Sequence, residues 1–493
     1  MSKINLLIIG AGYHSRRIYI PYLLKNNRVN LSAILDLPSQ QRTIDDYLSE
    51  NKISIPTYFT AEETISDDLS QDENSYLCKI VADNAINAVI ISTEPLAHFK
   101  YAKWALLNSI HILMDKPITT EIEVSTNEKK AEKLYNDYLR LKDIYTKAKD
   151  SLVFTLQAQR RFHPGYRKAR DLIIEITNKT NCPVTSIESF HSDGMWRLPK
   201  EIVEMNYHPY NQGYGKVSHS GYHSIDIALW LAKASITDPT KQYNQFSLYT
   251  SFLRPIDFFH QITFQDYKKV FPNNDNSLLL TKEDIEINES FYEKYISGEL
   301  DAHTILSLKK DGKIMTQIGS HLVHNGFSQR GWFQSNLKDL YKGNGRLRHE
   351  SYTIEQGPFQ CIIINAFQSL EIKNELNNPY SVGGEHHFDI HIFRNSSLYK
   401  EYEPYELITM QDLRIIDDIG YSRGHQEVAR RDCVDEFIQA IENHIPRQKQ
   451  ESNFLNHEFS TFVLSKIYAS SSKEFHGKNP ISKGMLPEDI WKS

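Results

Sequence analysis

Cysteine is scarce in this chain. Four occur in 493 residues (Cys78, Cys182, Cys361 and Cys433), and no two form a Cys-x-x-Cys pair. That spacing excludes a thiolate zinc site and a disulfide scaffold, and it fits a reducing compartment. A surplus of one charge is also missing. Lys and Arg number 56 against 62 Asp and Glu, a net charge of −6, which offers no basic excess for nucleic acid. No apolar run approaches the ~20 residues that a bilayer-spanning helix needs, so no membrane contact is expected. The chain runs straight into an apolar strand with no charged-then-apolar leader, and a cytoplasmic location is expected. There is no convincing internal repeat or low-complexity segment. With 40% hydrophobic and 24% charged residues, what remains is a globular composition long enough for about two or three domains.

Residues 4–36 organise the rest. Ile4-Asn5-Leu6-Leu7-Ile8-Ile9 is short, apolar and rich in β-branched residues, as a strand buried on both faces should be. Gly10-Ala11-Gly12-Tyr13-His14-Ser15 follows. Gly10 permits a sharp turn out of the strand, and Gly12 lets backbone approach a phosphate where a Cβ would obstruct it. Ser15 stands where a third glycine or alanine is usual and is small enough for close helix–strand packing. A helix over 16–25 would aim its first N–H groups at a pyrophosphate. Asp36 ends a second strand, 31–36, about 20 residues after the glycines, where a carboxylate accepts both hydroxyls of an adenosine ribose. It would repel a 2′-phosphate, so NAD is expected and NADP is the less favoured cofactor.

Strand and helix alternate through residues 1–158. Strands are predicted at 56–60, 87–92, 110–114 and 151–157, helices at 97–107 and 124–149, and a solvated acidic loop at 67–73. Such alternation predicts an α/β domain with a doubly wound parallel sheet, a Rossmann-type NAD-binding domain. From residue 159 the pattern changes. Helices are predicted at 166–176, 219–231, 426–443 and 457–471, and a strand at 184–190. Segments 246–253, 304–309, 314–324 and 387–394 alternate apolar and polar residues, as antiparallel strands with one wet face do. Residues 159–493 therefore read as a substrate-binding α+β domain with an open, mostly antiparallel sheet. Stretches 266–300 and 326–358 read as polar and aperiodic, part of a set of insertions around 235–350.

Ligands of a doubly wound sheet bind beyond the carboxyl ends of its strands. Besides the glycine turn, two segments fall there: Ser92-Thr93-Glu94-Pro95 with His98, and Asp115-Lys116-Pro117. The proline favours an extended backbone at Lys116. An ammonium held beside a nicotinamide can hydrogen-bond a substrate alcohol or ketone oxygen and stabilise alkoxide-like charge. The bland alternative is a surface lysine at a strand–loop junction. A second cluster contains His219, Gly221, Tyr222, His223 and Asp226. His219 and His223 lie one helical turn apart and can face one cleft, where an imidazole suits proton exchange with a hydroxyl. The same pair could instead cap or pack a helix. No Asp or Glu at a recognisable spacing completes a metal site, so no metal is expected.

Taken together, these segments resemble the Gfo/Idh/MocA oxidoreductases, the family of glucose–fructose oxidoreductase and inositol dehydrogenase. The resemblance is carried by Gly10-Ala11-Gly12, by Ser92-Thr93 with Pro95 and His98, and by Asp115-Lys116-Pro117 in place of Glu-Lys-Pro. Gln159-Arg160-Arg161, Gly221-Tyr222-His223-Ser224-Ile225-Asp226 and the last helix, ending Ile467-Tyr468-Ala469-Ser470, extend it. It implies a Rossmann domain followed by an open-sheet domain whose exposed face builds a homo-oligomer. It also implies hydride transfer between NAD and a hydroxyl or keto carbon of a sugar, sugar derivative or cyclitol. Lys116 would be the catalytic lysine and His223 would exchange the proton. His219, where the family often has aspartate, would assist. Cofactor contacts would come from Gly10, Gly12, Tyr13, His14, Ser15, Asp36, Ser92, Thr93, Glu94, His98, Asp115 and Lys116. Arg160, Arg161, Trp196, Arg197 and Tyr222 would line the sugar cleft. Two other activities fit the same resemblance: an NAD-containing glycosidase or lyase that oxidises its sugar transiently, and a non-catalytic nucleotide-sensing regulator.

Overall fold

Short runs of branched apolar residues build the first of two sheets. The computed structural model describes residues 3–60, 66–194, 196–197, 199–203, 210–270, 295–327, 347–369, 387–413 and 426–491. In it β1 (Ile4–Ile9), β2 (Val29–Asp36), β3 (Thr57–Phe59), β4 (Ala88–Ile91), β5 (His111–Met114) and β6 (Phe154–Leu156) are ordered β3-β2-β1-β4-β5-β6. Every pair is parallel. The winding reverses between β1 and β4, which opens a crevice at their carboxyl ends. On one face Leu7, Val89 and Ile112 pack with Phe99 and Trp104 of helix Pro95–Leu107 and with Leu134 and Tyr138 of helix Glu128–Lys147. On the other, Ile8, Ile34 and Leu113 meet Ile20 and Leu23 of helix Tyr19–Lys25. Val434, Phe437 and Ile438 of helix Gln426–Glu442 complete that face. A helix from the far end of the chain thus closes the first sheet.

The second sheet contains β7 (Ser186–Ser192), β8 (Gln245–Leu253), β9 (Asp301–Lys310), β10 (Lys313–Val323) and β11 (Leu347–Gln356). It also contains β12 (Gln360–Ser369), β13 (His387–Arg394), β14 (Tyr405–Ile408) and β15 (Ser482–Met485). The order is β14-β13-β12-β11-β7-β10-β9-β8-β15. β7 and β10 run parallel and the other neighbours antiparallel. Helices Tyr222–Ala234 and Glu458–Phe475 cover one face, where Ile227, Leu231, Phe462 and Tyr468 share a core with Leu248, Leu306, Ile354 and Ile364. That core is continuous with the first sheet's.

Three stretches differ from expectation. The acidic segment 67–73 is not all loop: Ser70 and Glu73 form a capping box that starts helix Gln71–Asp83, and Lys133 and Arg140 hold the Asp67 carboxylate. The glycine-turn helix begins at Tyr13 and breaks at Ile18 rather than running over 16–25. The stretch around 235–350 carries β8, β9 and β10 and the start of β11. Within 326–358, residues 347–356 are strand β11; residues 328–346 and 271–294 lie outside the described residues. β11 has no plain apolar alternation because its buried face carries Glu350 and Gln356 beside Tyr352 and Ile354.

A buried ion pair ties the chain just after β6 to the helix that covers the second sheet. Arg161, just after β6, grips Asp226 through two hydrogen bonds of 2.9 and 2.6 Å. Its remaining N–H groups donate to the carbonyls of Glu451 and Asn456, and Asp226 also accepts from Ser460 at 2.6 Å. Burial pushes the Asp226 carboxyl up, but Arg161 and His457 outweigh it and hold it well below the usual carboxylate range. Arg161→Ala strands that charge in the core. Chemical denaturation should show a loss of about 3–5 kcal/mol. Loss of the exposed Arg42, whose nearest contact with Asp46 is 3.9 Å, should be close to neutral.

Candidate active site

The glycine turn is shaped by what a side chain would strike. Gly10 has φ +91°, and a Cβ on it would lie 2.5 Å from the Ser92 carbonyl oxygen. At Gly12, φ −63°, a Cβ would meet nothing within 4 Å, so the space above it is open. Ser15 is buried and donates to the Gly10 carbonyl at 2.6 Å, so its hydroxyl braces the turn that a third glycine would only leave room for. Asp36, at the end of β2, accepts from the Ala11 and Leu37 amides at 2.6 and 2.7 Å. Burial raises its pKa against the opposing pull of those amides. Tyr13 is exposed, and His14 packs edge-on against Tyr19 with ring centroids 5.2 Å apart. Burial lowers the His14 pKa to about 4, so this ring is neutral. Open space over a glycine backbone, with a carboxylate at the end of the next strand, fits a dinucleotide.

The neighbouring strand ends form a shelf. Asp115 accepts from Ser92 at 2.7 Å and from the Tyr19 hydroxyl. His98 is buried between the carbonyls of Pro117 at 2.8 Å and Thr93 at 3.1 Å. It clamps the two loops together rather than presenting a surface to a ligand. Burial lowers its pKa; the neutral ring donates to one of the two carbonyls. Glu94 is the N-cap residue of helix Pro95–Leu107.

Lys116 reaches the second domain. Its ammonium donates to the main-chain carbonyl of His219 at 2.6 Å. Burial lowers its pKa to about 8, with Asp115 opposing and Arg160 and Arg430 adding to the fall. His219 sits in a π-helical turn, Val217–Gly221, immediately before helix Tyr222–Ala234. Gly221 is required there because a Cβ would lie 2.8 Å from the Lys216 carbonyl oxygen. The His219 ring lies 6.0 Å from that of His324. His223, one turn further on, is buried; its Nε2 lies 3.2 Å from the Gln159 amide nitrogen. Its Nδ1 has no hydrogen-bond partner among the described residues.

The five expected sugar contacts all have internal work. Arg160 pairs with Glu350 at 2.5 Å, and that carboxylate also accepts from Tyr166 and Tyr352. Arg160 Nε and Nη1 are left without partners among the described residues. Arg161 is committed to Asp226. Tyr222 is buried, its hydroxyl 3.3 Å from His457. Trp196 packs on Phe258 with centroids 5.4 Å apart. Arg197 is buried and donates to the His324 carbonyl.

Several polar residues at this site are not legible as site residues in the sequence. Lys216 is wholly buried, with Nζ 2.8 Å from His191 Nδ1 and 3.4 Å from Asp193. Burial lowers its pKa to about 8. Glu299, also buried and raised by burial to about 8, accepts from Tyr468 and from the Val217 amide, and so supports the π turn. In the sequence each is a single charge beside a glycine, Gly215 and Gly298, which does not distinguish burial from exposure. Gln159 was visible within Gln159-Arg160-Arg161 but carried no role there. Asp67, Glu121 and Asp137 are the one group of three metal-type ligands among the described residues, and the Lys133 ammonium contacts all three at 2.7–2.9 Å.

Residues 4–139 match the GFO_IDH_MocA family model, described as an oxidoreductase family with an NAD-binding Rossmann fold. An uncharacterized oxidoreductase of Synechocystis sp. is 27% identical over 123 residues, 24% of this chain and 27% of that protein. The match thus spans about a quarter of that relative's length. Among solved structures, an aldose-aldose oxidoreductase of Caulobacter crescentus aligns with TM-score 0.54 and 12% identity, over 98% of this chain and 100% of that one. A 3-ketoreductase of Actinomadura kijaniata, solved with TDP-benzene and NADP, aligns with TM-score 0.51 and 10% identity, over 95% and 96%. At such identities the likeness is one of fold, and it extends through both domains. Two substitutions separate the shape of the turn from its ligand. Gly10→Ala should lower the melting temperature of the dinucleotide-free protein. Gly12→Ala should leave it unchanged and weaken NADH binding about tenfold or more by fluorescence titration.

Proposed function

We propose that this chain, whose N-terminal domain is that of the Gfo/Idh/MocA oxidoreductase family, is a nicotinamide-dependent oxidoreductase. Its substrate is a hydroxyl or keto carbon of a sugar, sugar derivative or cyclitol. One observation carries the reading: the Lys116 ammonium, at the carboxyl end of β5, bonds the turn that bears His219 and leads into the helix bearing His223. A dinucleotide held over Gly12 would supply the two-electron exchange at its nicotinamide ring. The Gly10–Gly12 backbone would hold the pyrophosphate. Asp36 keeps lone pairs beyond those given to Ala11 and Leu37 and accepts the ribose hydroxyls, which favours NAD over NADP. Lys116 leaves the His219 carbonyl and donates to the substrate oxygen, where it stabilises the charge that develops. His223 takes or returns the hydroxyl proton. His219, presented by the same turn, assists. Retention of Lys116 and His223 favours catalysis over nucleotide sensing. The open face of the second sheet, which exposes Ile305, Phe393 and Leu407, supports association with a second copy there.

Lys116→Ala should lower NADH-dependent reduction of keto-sugars by about 10²-fold or more while NADH still binds. Near-normal turnover would remove the assignment. The charged form of Lys116 exists below its pKa, which burial lowers to about 8. Activity should therefore fall as pH rises through that value, well short of the range of an ordinary lysine. Asp36→Ala should shrink the ratio of kcat/KM for NADH over NADPH by about tenfold, and an unchanged ratio would assign cofactor choice elsewhere.

A further inference from the structure

Gln159 has no part in the chemistry so far, yet it is the hydrogen-bond partner of the His223 ring among the described residues. It opens the 3-10 turn Gln159–Phe162 just beyond the carboxyl end of β6. Its side chain reaches helix Tyr222–Ala234, where the amide nitrogen lies 3.2 Å from His223 Nε2. Both residues are more than nine-tenths buried, at 6% and 7% exposure. His223 Nδ1 is buried with no partner among the described residues. The helix beneath the ring is fixed on either side. Ser224 accepts from Tyr352 at 3.2 Å, and Asp226 is held by Arg161. What remains to be set is the rotation and the tautomer of the ring.

We propose that Gln159 is a positioning residue that holds His223 by Nε2 and leaves Nδ1 as the atom exchanging a proton with the substrate oxygen. The inference rests on the reading of His223 as the proton-exchanging group. An amide offers both a donor and an acceptor, and a half-turn swaps them. With the nitrogen toward the ring, Nε2 accepts and Nδ1 bears the hydrogen. With the oxygen toward the ring, Nε2–H donates and Nδ1 has its lone pair. Oxidation of an alcohol uses the second arrangement. The hydroxyl proton passes to Nδ1, its O–H pair closes the C=O bond, the C–H hydrogen with its bonding pair would be taken up as hydride by the oxidised nicotinamide, and the resulting imidazolium keeps its Nε2–H on the glutamine oxygen. Reduction is the reverse, and Gln159 neither gains nor loses a proton in either direction.

The test compares Gln159→Glu with Gln159→Leu in the full-length protein, using NADH and a keto-sugar that the wild type turns over. A carboxylate beside Nε2–H favours the imidazolium. The limb of the pH profile set by His223 should therefore move up by about 1 unit or more in the Glu variant, whichever direction is assayed. The ring titration followed by NMR, identified against His223→Asn, should move the same way without need of turnover. Gln159→Leu should lower kcat about tenfold or more with NADH affinity and melting temperature unchanged. A purely structural glutamine would move stability and leave the pH limb in place. An unmoved limb and ring titration in the Glu variant, with wild-type kcat in the Leu variant, would overturn the proposal. If Lys116→Ala and His223→Asn abolish turnover while both Gln159 variants match wild type, the positioning role alone fails. If those two retain turnover, the oxidoreductase reading fails and this role with it.

Discussion

The Arg161–Asp226 pair sets the geometry on which the candidate site depends. Two fully desolvated charges at 2.6 and 2.9 Å tolerate little displacement, because separating them in the core leaves each without compensation. Arg161 follows β6 of the first sheet, and Asp226 lies one turn beyond His223 on the helix covering the second. Fixing one to the other fixes the helix against the strand ends. The same few residues then bring Gln159 to His223, Arg160 to Glu350 and Lys116 to the His219 carbonyl.

Burial is the second constraint. Polar groups around the strand ends are out of water, and the carboxylates among them are met by several donors. Glu350 takes three donors, Asp115 two and Asp226 at least three. Such an arrangement gives rigid placement, since each of these carboxylates has its partners supplied by different elements. It also shifts protonation. Lysines 116 and 216 both fall to about 8 through burial, while the histidines at positions 14 and 324 are pushed toward the neutral ring. Lys116 is the one of these groups whose partner is a neutral main-chain carbonyl, in a π-helical turn, so parting the two leaves no opposite charge behind.

Much of the first domain was legible because its strands are short apolar runs bounded by glycine, proline or an acid. The glycine turn, Asp36 and Asp115-Lys116-Pro117 fall where that pattern puts them. Legibility failed where polar residues occupy the core. β11 escaped because Glu350 and Gln356 sit on its buried face, and helix Gln71–Asp83 because its first turn is acidic despite the Ser70–Glu73 box. The arginines at 160, 161 and 197 looked like ligand-binding residues. Each has a buried partner inside the protein, Glu350, Asp226 and the His324 carbonyl in turn, all far away in sequence.

The sequence by itself determined the parallel sheet, the glycine turn with its acidic stop, and the residue types offered at each strand end. Those follow from local rules: side-chain periodicity, backbone freedom at glycine, and restriction before proline. Tertiary structure alone decided which of the offered side chains remain available. A carboxylate or guanidinium is spent or free according to what the fold sets within about 3 Å of it, and Glu350, Asp226 and Gln159 reach their partners from 64 to 190 residues away along the chain.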